Sequence, residues 1–343
     1  MTQQSQTLFA GIDLGTSRSS ISASNGQRHV LDSFVGWPLD MVARKILKKQ
    51  VLVGREALDA RSMLDLHRPL ERGLVKEGSE KDLEAVRQLL KQLLTLAGIN
   101  DEQRGQAKVR AVVGVPAEAL RVSRQQLRNA MKGLVDSLFI VSEPFSVAYG
   151  LEALLHALII DIGAGTSDLC VMNGRYPTED DQRTLLFAGD WIDEQLFKLI
   201  QARHPEARFS VYMVREWKEQ HAFVGKTKSP VQVIAPVKGK PVLLDITEEM
   251  RAACEGIVPP LAETMIDLIS RVDPDYQEKV RANVILAGGS SGVAGLDKAL
   301  QEALKEIGSG HVTVVKDPIF AGCDGGLAIA QDLAEDDWEK VAG

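Results

Sequence analysis

Two segments of this chain repeat one pattern of residues suited to holding an anion. Asp13-Leu-Gly15-Thr16-Ser17 recurs as Asp161-Ile-Gly163-Ala164-Gly165-Thr166-Ser167, each copy following an apolar run (Leu8-Phe9-Ala10 and Leu158-Ile159-Ile160). A single Asp-x-Gly-Thr segment is the composition of an ordinary hairpin turn, and taken alone it need be nothing more. Two copies change the reading. Successive backbone N–H groups in such turns form anion-binding concavities, and glycine lets the backbone approach phosphate oxygens closely. Two of them facing each other across a cleft could hold the phosphates of one nucleotide from both sides. Asp13 and Asp161, each at a strand end, would then stand where Mg2+ takes its carboxylates. Magnesium keeps most of its waters and needs one or two such ligands, so contact through water suffices.

A third glycine turn, Gly288-Gly289-Ser290-Ser291, follows the apolar run Val284–Ala287. It reads either as a helix entry capped by Ser290 or as the close backbone approach that a purine or ribose requires.

The elements around these turns alternate. In each copy a strand leads into the turn and a second strand leaves it, over Ser20–Ser24 in the first and Leu169–Met172 in the second. Leu83, Val86, Leu89, Leu90, Leu93, Leu94 and Ala97 mark one face of a helix, and Val109–Val115 reads as a buried strand stopped by Pro116. The pattern predicts a helix over Arg121–Leu134, a strand over Leu138–Val141 and a helix over Glu143–Leu155 with Pro144 in its first turn. Helices are further expected over Ile192–Arg203 and Arg215–Val224, and paired strands over Val231–Ala235 and Val242–Ile246. Thr247 reads as the N-cap of a helix that runs with interruptions to Arg271 and is bent or broken by Pro259-Pro260. Leu296–Ile307 reads as a helix, Val312–Val315 as a strand and Ile319–Leu333 as the last helix. Alternating strands and helices in both halves predict an α/β fold, with helices packed on the sheet faces.

Composition sets outer limits. The 343 residues suit about two domains, and 40 Lys+Arg against 47 Asp+Glu leave a formal charge of −7. That acidity argues against a nucleic-acid partner, which needs a basic face. No apolar run reaches the roughly 18 residues of a membrane span, and the polar start Met1–Thr7 lacks the parts of a signal peptide. Cys170, Cys254 and Cys323 are odd in number and far apart, which points to a reducing, cytoplasmic setting without a disulfide or metal framework.

The ordered set of segments resembles the actin superfamily. Asp-x-Gly-Thr is followed by Ser142-Glu143-Pro144-Phe-Ser-Val-Ala148-Tyr149-Gly150, by Asp-x-Gly-x-Gly-Thr-x-Asp and by Gly-Gly-Ser. The fifth segment, Asp317-Pro-Ile-Phe-Ala-Gly322-Cys-Asp-Gly325-Gly326-Leu-Ala328, is similar to the second connecting helix of that superfamily, so the match spans essentially the whole chain. The resemblance implies an actin-like ATPase fold: two related lobes, each a mixed sheet flanked by helices, with the nucleotide cleft between them. Lobe I would comprise 1–156 with 316–343 and carry a small inserted subdomain at 36–82; lobe II would comprise 157–315 with an insertion at 189–248.

It also implies roles. Asp13, Gly15, Thr16 and Ser17 match the first phosphate hairpin, and Asp161, Gly163, Ala164, Gly165 and Thr166 the second. Glu143 matches the position that orients the water attacking the γ-phosphate, a task suited to a carboxylate. Read from its own residues, Glu143 could equally stabilise a helix N-terminus. Asp168 matches a neighbouring polar position that could share the catalytic task, or is a strand-surface acid. Lys218 and Glu219, in Arg215-Glu-Trp-Lys218-Glu219-Gln220, match a segment lining the nucleoside pocket, while Gly288, Gly289 and Ser290 complete it. By itself that helix would be an exposed charged one.

Within the superfamily, the acidic tail Glu335-Asp-Asp-Trp-Glu339 differs from the basic amphipathic ends of membrane-bound members. The stretch from Val35-Gly36-Trp37-Pro38 through Val53-Gly54-Arg55-Glu56-Ala57 to Arg72-Gly73 looks like a small actin subdomain, with Arg55 in place of an acid. In detail the chain is most similar to bacterial actins whose filaments organise magnetosomes. The implied function is polymerisation with ATP and Mg2+ into cytoplasmic filaments, turned over by hydrolysis to ADP. The implied partners are further copies of the chain and an adaptor protein, without nucleic acid or a direct membrane anchor. Trp37, Met41 and Leu47 are candidate subunit contacts or simply pack within the small subdomain. The alternatives are a sugar-type kinase using the same ATP site and a nucleotide-gated scaffold that does not polymerise.

Overall fold

The computed structural model describes residues 7–71, 74–75, 80–100, 102, 106–117 and 124–341. It separates into two compact units: Met1–Leu155 with Gly174–Thr178 and Asp317–Gly343, and His156–Asn173 with Glu179–Lys316.

The first unit is built on a five-stranded sheet. Thr7–Leu14 runs parallel to Lys108–Val115, which runs parallel to Ser137–Ser142. On its other side Thr7–Leu14 pairs antiparallel with Arg18–Ala23, followed by Arg28–Asp32. Lys108–Val115 is buried at every position after its first, as expected of a strand covered on both faces. One face is covered by the helix Glu80–Leu96, whose Ala85, Val86, Leu89, Leu90, Leu93 and Leu94 form its buried stripe.

The helix Ala321–Asp332 covers the central strand at unusually short range. A side chain at Gly11 would collide with the Cys323 carbonyl and the Leu327 nitrogen, and one at Gly325 with the Ser146 carbonyl of the helix Glu143–Gly150. Glycine is the residue that permits these backbone approaches. The Ser146 hydroxyl donates to the Gly322 carbonyl at 2.8 Å and strengthens the same junction.

The second unit repeats the plan. Leu155–Ile162 lies parallel to Val284–Ala287, which lies parallel to Val312–Val314. On the other side come Ser167–Asn173 and then, antiparallel, Gln182–Leu185. Counted along the chain, both five-stranded sheets have the order fifth, fourth, first, second, third. The repeat of the aspartate turns is therefore the visible part of a duplicated sheet.

Several expected boundaries move for local reasons. The helix after Glu143 ends at Gly150 and not at Leu155, because Glu152 adopts φ 55° and Leu155 begins the next strand. Thr247 is not a cap: its hydroxyl accepts the Val231 N–H at 2.7 Å and donates to Asp245. The interrupted helix is two helices, Thr247–Glu255 and Val258–Ser270, the break falling just before Pro259-Pro260, which stand in the first turn of the second. Of the helix expected over Arg121–Leu134, Arg124–Met131 is helical, and Arg121–Ser123 lie outside the described residues. Arg72-Gly73 of the small subdomain lies outside them also.

The acidic tail forms one more helix, Glu335–Val341, so Ile319–Leu333 is not the last. Its Trp338 is fully buried against Val112, Val141, Ile329 and Ala330. The Arg110 guanidinium lies 5.4 Å from the Trp338 ring centroid and pairs with the Glu335 carboxylate. Tail acidity thus has a local partner that charge counting could not locate.

In the small subdomain Trp37 packs edge-on to His67 with centroids 5.4 Å apart, whereas Met41 is 81% exposed. Leu39, Val42 and Ile46 are exposed beside it. No helix among the described residues is long and apolar enough to cross a membrane.

Candidate functional site

Each aspartate turn lies at the carboxyl end of its unit's central strand, where chain order reverses in the sheet. Open α/β sheets bind ligands at such places.

In the first unit Asp13 pairs with Ser20 on one side and Gly114 on the other. The carbonyls of the following turn are tied down. Gly15 accepts from the hydroxyls of Ser33 at 2.7 Å and Ser19 at 3.4 Å, and Thr16 from Arg68 Nε at 2.9 Å. A trans peptide sets N–H opposite C=O, so these bonds aim the Thr16 and Ser17 N–H groups away from Ser33 and Arg68. The backbone of the turn is thereby held fixed, the arrangement that anion-binding turns require.

Asp13 also abuts the returning helix Ala321–Asp332: a Cβ at Gly322 would stand 2.9 Å from Asp13 Oδ2. Although Asp13 keeps some contact with solvent, burial of its carboxyl pushes the pKa up to about 7. A cation beside it would favour the charged form. Glu143 opens its helix and leans over the neighbouring strand, where a Cβ at Gly114 would lie 3.5 Å from Glu143 Cγ. Since Gly114 is the register partner of Asp13, Glu143 and Asp13 share this end of the sheet.

In the second unit Asp161 is buried and leans on the third glycine turn. Gly288 has φ 78°, and a side chain there would collide with the Asp161 carboxylate and the Ile162 carbonyl. The Gly163–Thr166 turn closes through the Gly163 N–H donating to the Thr166 carbonyl at 2.9 Å. Ser290 is not a helix cap; its hydroxyl donates to the Gly163 carbonyl at 2.9 Å and joins the third turn to the second.

The helix Gly189–Arg203 begins on this same turn. Gly189 N–H donates to the Gly163 carbonyl at 3.1 Å and Asp190 N–H to the Ala164 carbonyl at 2.7 Å. Lys218 is buried, with Nζ donating to the Gly189 carbonyl at 2.7 Å and pairing with Asp193 at 2.8 Å. Thus Lys218 joins the cluster, while Glu219, next on the helix, is exposed. Asp168 is fully buried and accepts from the Thr184 hydroxyl at 2.5 Å, so it is not a strand-surface acid.

The structure brings Asp13, Gly15, Thr16, Ser17 and Glu143 together in one unit, and Asp161 to Thr166, Lys218 and Gly288 to Ser290 in the other. The sequence reading missed Ser33, Arg68 and Gly322 around the first turn, and Gly189, Asp190 and Asp193 around the second. Only the last two carried a usable signal: acids three apart, in the same spacing as Arg215 and Lys218. Among the described residues no group of three or more His, Cys, Asp or Glu is clustered for a metal. The donor set suits Mg2+, which accepts a single carboxylate with water, and Asp13 and Asp161 are the carboxylates at the two turns.

The model of the MreB/Mbl protein family matches residues 7–336. The chain belongs to the MreB/Mbl family. It is 40% identical over 341 residues to the actin-like protein MamK of Paramagnetospirillum magneticum, covering 99% of this chain and 96% of that protein. Among solved structures it is similar to the MamK double helical filament, with TM-score 0.92 and 39% identity over 96% of this chain and 100% of the other. A non-polymerising MamK mutant bound to AMPPNP matches with TM-score 0.73 and 39% identity, over 96% of this chain and 100% of that one. The two duplicated sheets are those of an actin-like fold.

Proposed function

We propose that this chain is a bacterial actin that binds ATP with Mg2+, polymerises into cytoplasmic filaments and hydrolyses ATP to turn those filaments over. The observation that carries the reading is the likeness to the MamK filament at 39% identity over nearly the full length of both chains. The filaments would organise or position magnetosomes or a similar intracellular structure, through an adaptor protein.

In this reading the Gly15–Ser17 and Gly163–Thr166 turns hold phosphate oxygens through backbone N–H groups. Lys218, Glu219 and the Gly288–Ser290 turn hold the nucleoside. Asp13 and Asp161 hold Mg2+ through water, and the bound cation would neutralise phosphate charge. Glu143 accepts a hydrogen bond from the attacking water and orients it, with Asp161 and Asp168 as the carboxylates of the second turn. Head-to-tail repetition of one contact makes an open polymer, since such an interface need not close. The exposed apolar residues around Met41 are candidates for that contact.

Sedimentation and negative-stain microscopy with Mg-ATP test the proposal. Filaments that pellet with ATP are the expected result. A chain that stays monomeric across protein and salt concentrations overturns it, and phosphorylation of a sugar hydroxyl would favour a kinase instead.

A further inference from the structure

Two helices of the second unit carry matched charges at matched spacing. Asp190 and Asp193 lie three residues apart on Gly189–Arg203; Arg215 and Lys218 lie three apart on Val211–His221. Such spacing places each pair on one helix face. Arg215 Nη2 meets Asp190 Oδ1 at 3.0 Å, Arg215 Nε meets Asp193 Oδ2 at 3.1 Å, and Lys218 Nζ meets Asp193 Oδ1 at 2.8 Å. Asp193 therefore receives a different cation on each oxygen.

Burial makes this more than a surface ion pair. Asp193 and Lys218 are only 7% and 8% exposed, and the four formal charges cancel. A buried pair of this kind is costly to break from one side, because the remaining charge loses its counterion without regaining water.

The quartet is tied to the second turn at two points, through the N–H groups of Gly189 and Asp190 on the carbonyls of Gly163 and Ala164. A lysine ammonium has three donors. The Gly189 carbonyl takes one of them, the Asp193 carboxylate stands beside the ammonium as an ion pair, and among the described residues no further acceptor meets it. A Cβ built at Gly189 would lie 3.2 Å from Lys218 Nζ, 2.8 Å from Ser290 Oγ and 3.2 Å from Ala164 Cα, so these groups converge on one spot.

We propose that Asp193 is a positioning residue for nucleotide binding. It fixes the Lys218 ammonium beside the Gly163–Thr166 turn with one N–H kept for the base or ribose. Through Arg215 and Asp190 it also holds the register of the two helices. A lysine on a flexible four-carbon stem would otherwise lose rotamer freedom at the moment of binding, and prior fixation removes that cost. The inference rests on the nucleotide reading of the second turn.

The test is equilibrium titration of a fluorescent ATP analogue against wild type, Asp193→Asn, Lys218→Met and the double variant, with thermal melting to check folding. Asp193→Asn is expected to weaken binding roughly tenfold or more in the wild-type background and to change nothing further in the Lys218→Met background. The double variant also removes the unpaired buried lysine, which keeps the comparison available if Asp193→Asn alone folds poorly. Equal losses in both backgrounds, or no loss in the first, overturn the positioning role while leaving the nucleotide reading intact. A folded wild type that does not bind the analogue overturns that reading, and this inference with it.

Discussion

The two aspartate turns occupy the same place in two sheets of identical strand order, yet they are supported differently. At Asp13 the neighbouring element is a helix returned from the far end of the chain, packed so closely that Gly11 has no room for a side chain. In the repeat, Ile159 stands where the first copy has Gly11, fully buried two residues before Asp161. There the aspartate leans on the Gly288 turn, and the surroundings are braced by a charge quartet of which Asp193 and Lys218 are buried. Both halves use a close approach at a glycine, Gly11 in one and Gly288 in the other, and the second adds a set of ion pairs. The turn and its strand are alike in the two units, while the elements that press on them differ.

The sharpest way to break this comparison is to place a β-branched residue at both equivalent positions. Gly11→Val is expected to abolish soluble folded protein, because the added atoms meet backbone on the Ala321–Asp332 helix and not a side chain that can move. Ile159→Val should cost only about 0.5–1.5 kcal/mol in denaturant unfolding. Similar losses at the two sites would mean that the halves are supported alike.

Trp338→Ala should destabilise by about 3–5 kcal/mol, since the indole is fully buried and no neighbour can fill its volume. Amide exchange should rise in the first unit, around Val112, Val141 and Ile329, and stay unchanged in the second. Faster exchange spread evenly over both would erase the distinction.

Glu143→Ala is expected to slow phosphate release roughly 100-fold while ATP binding and filaments persist and disassembly lags. Asp168→Asn, in the second unit, should slow it by less, because Asp168 is fully buried against Thr184. Unchanged release in Glu143→Ala would remove it from the mechanism.

The pH dependence follows from Asp13. Its folded-state pKa of about 7 lies above the ordinary 3.8, so between these values the folded chain keeps a proton that the unfolded chain has lost. Without nucleotide or metal, the contribution of Asp13 to stability should therefore be fully present below about pH 4 and be lost as pH rises through 7. Melting temperatures of wild type and Asp13→Asn should diverge across that window, with the flatter curve in the variant. Parallel curves would show that Asp13 is ionised in the folded chain.

The smallest effect concerns assembly. Subunits of −7 repel one another at low ionic strength, and moderate salt should lower the protein concentration at which filaments pellet. A rise would point to attractive charge pairs at the subunit contact.

Much of this molecule was legible from local pattern. The repeated Asp-Gly-Thr segments, the apolar stripe from Leu83 to Ala97 and the ordered family segments follow from turn chemistry and helical periodicity, which act over a few residues. Element ends were less so: the Glu143 helix stops at Gly150 because Glu152 turns into the left-handed region and Leu155 begins the next strand, and no spacing in the sequence marks that turn. Burial of charge was least legible. Arg215 to Gln220 reads as a solvated face, yet Lys218 is buried because Asp193 on another helix neutralises it. Trp338 likewise is buried against Val112, Val141, Ile329 and Ala330, from elements far apart in the chain, with Arg110 pairing the acidic tail beside it.

The sequence by itself determined the two turns, the α/β alternation and the family, since each depends on which residues stand next to one another. Tertiary structure alone decided which carbonyls orient those turns, where Glu143 stands relative to Asp13, and which charges leave water. Those depend on partners brought together from tens to hundreds of positions away, and no local spacing encodes them.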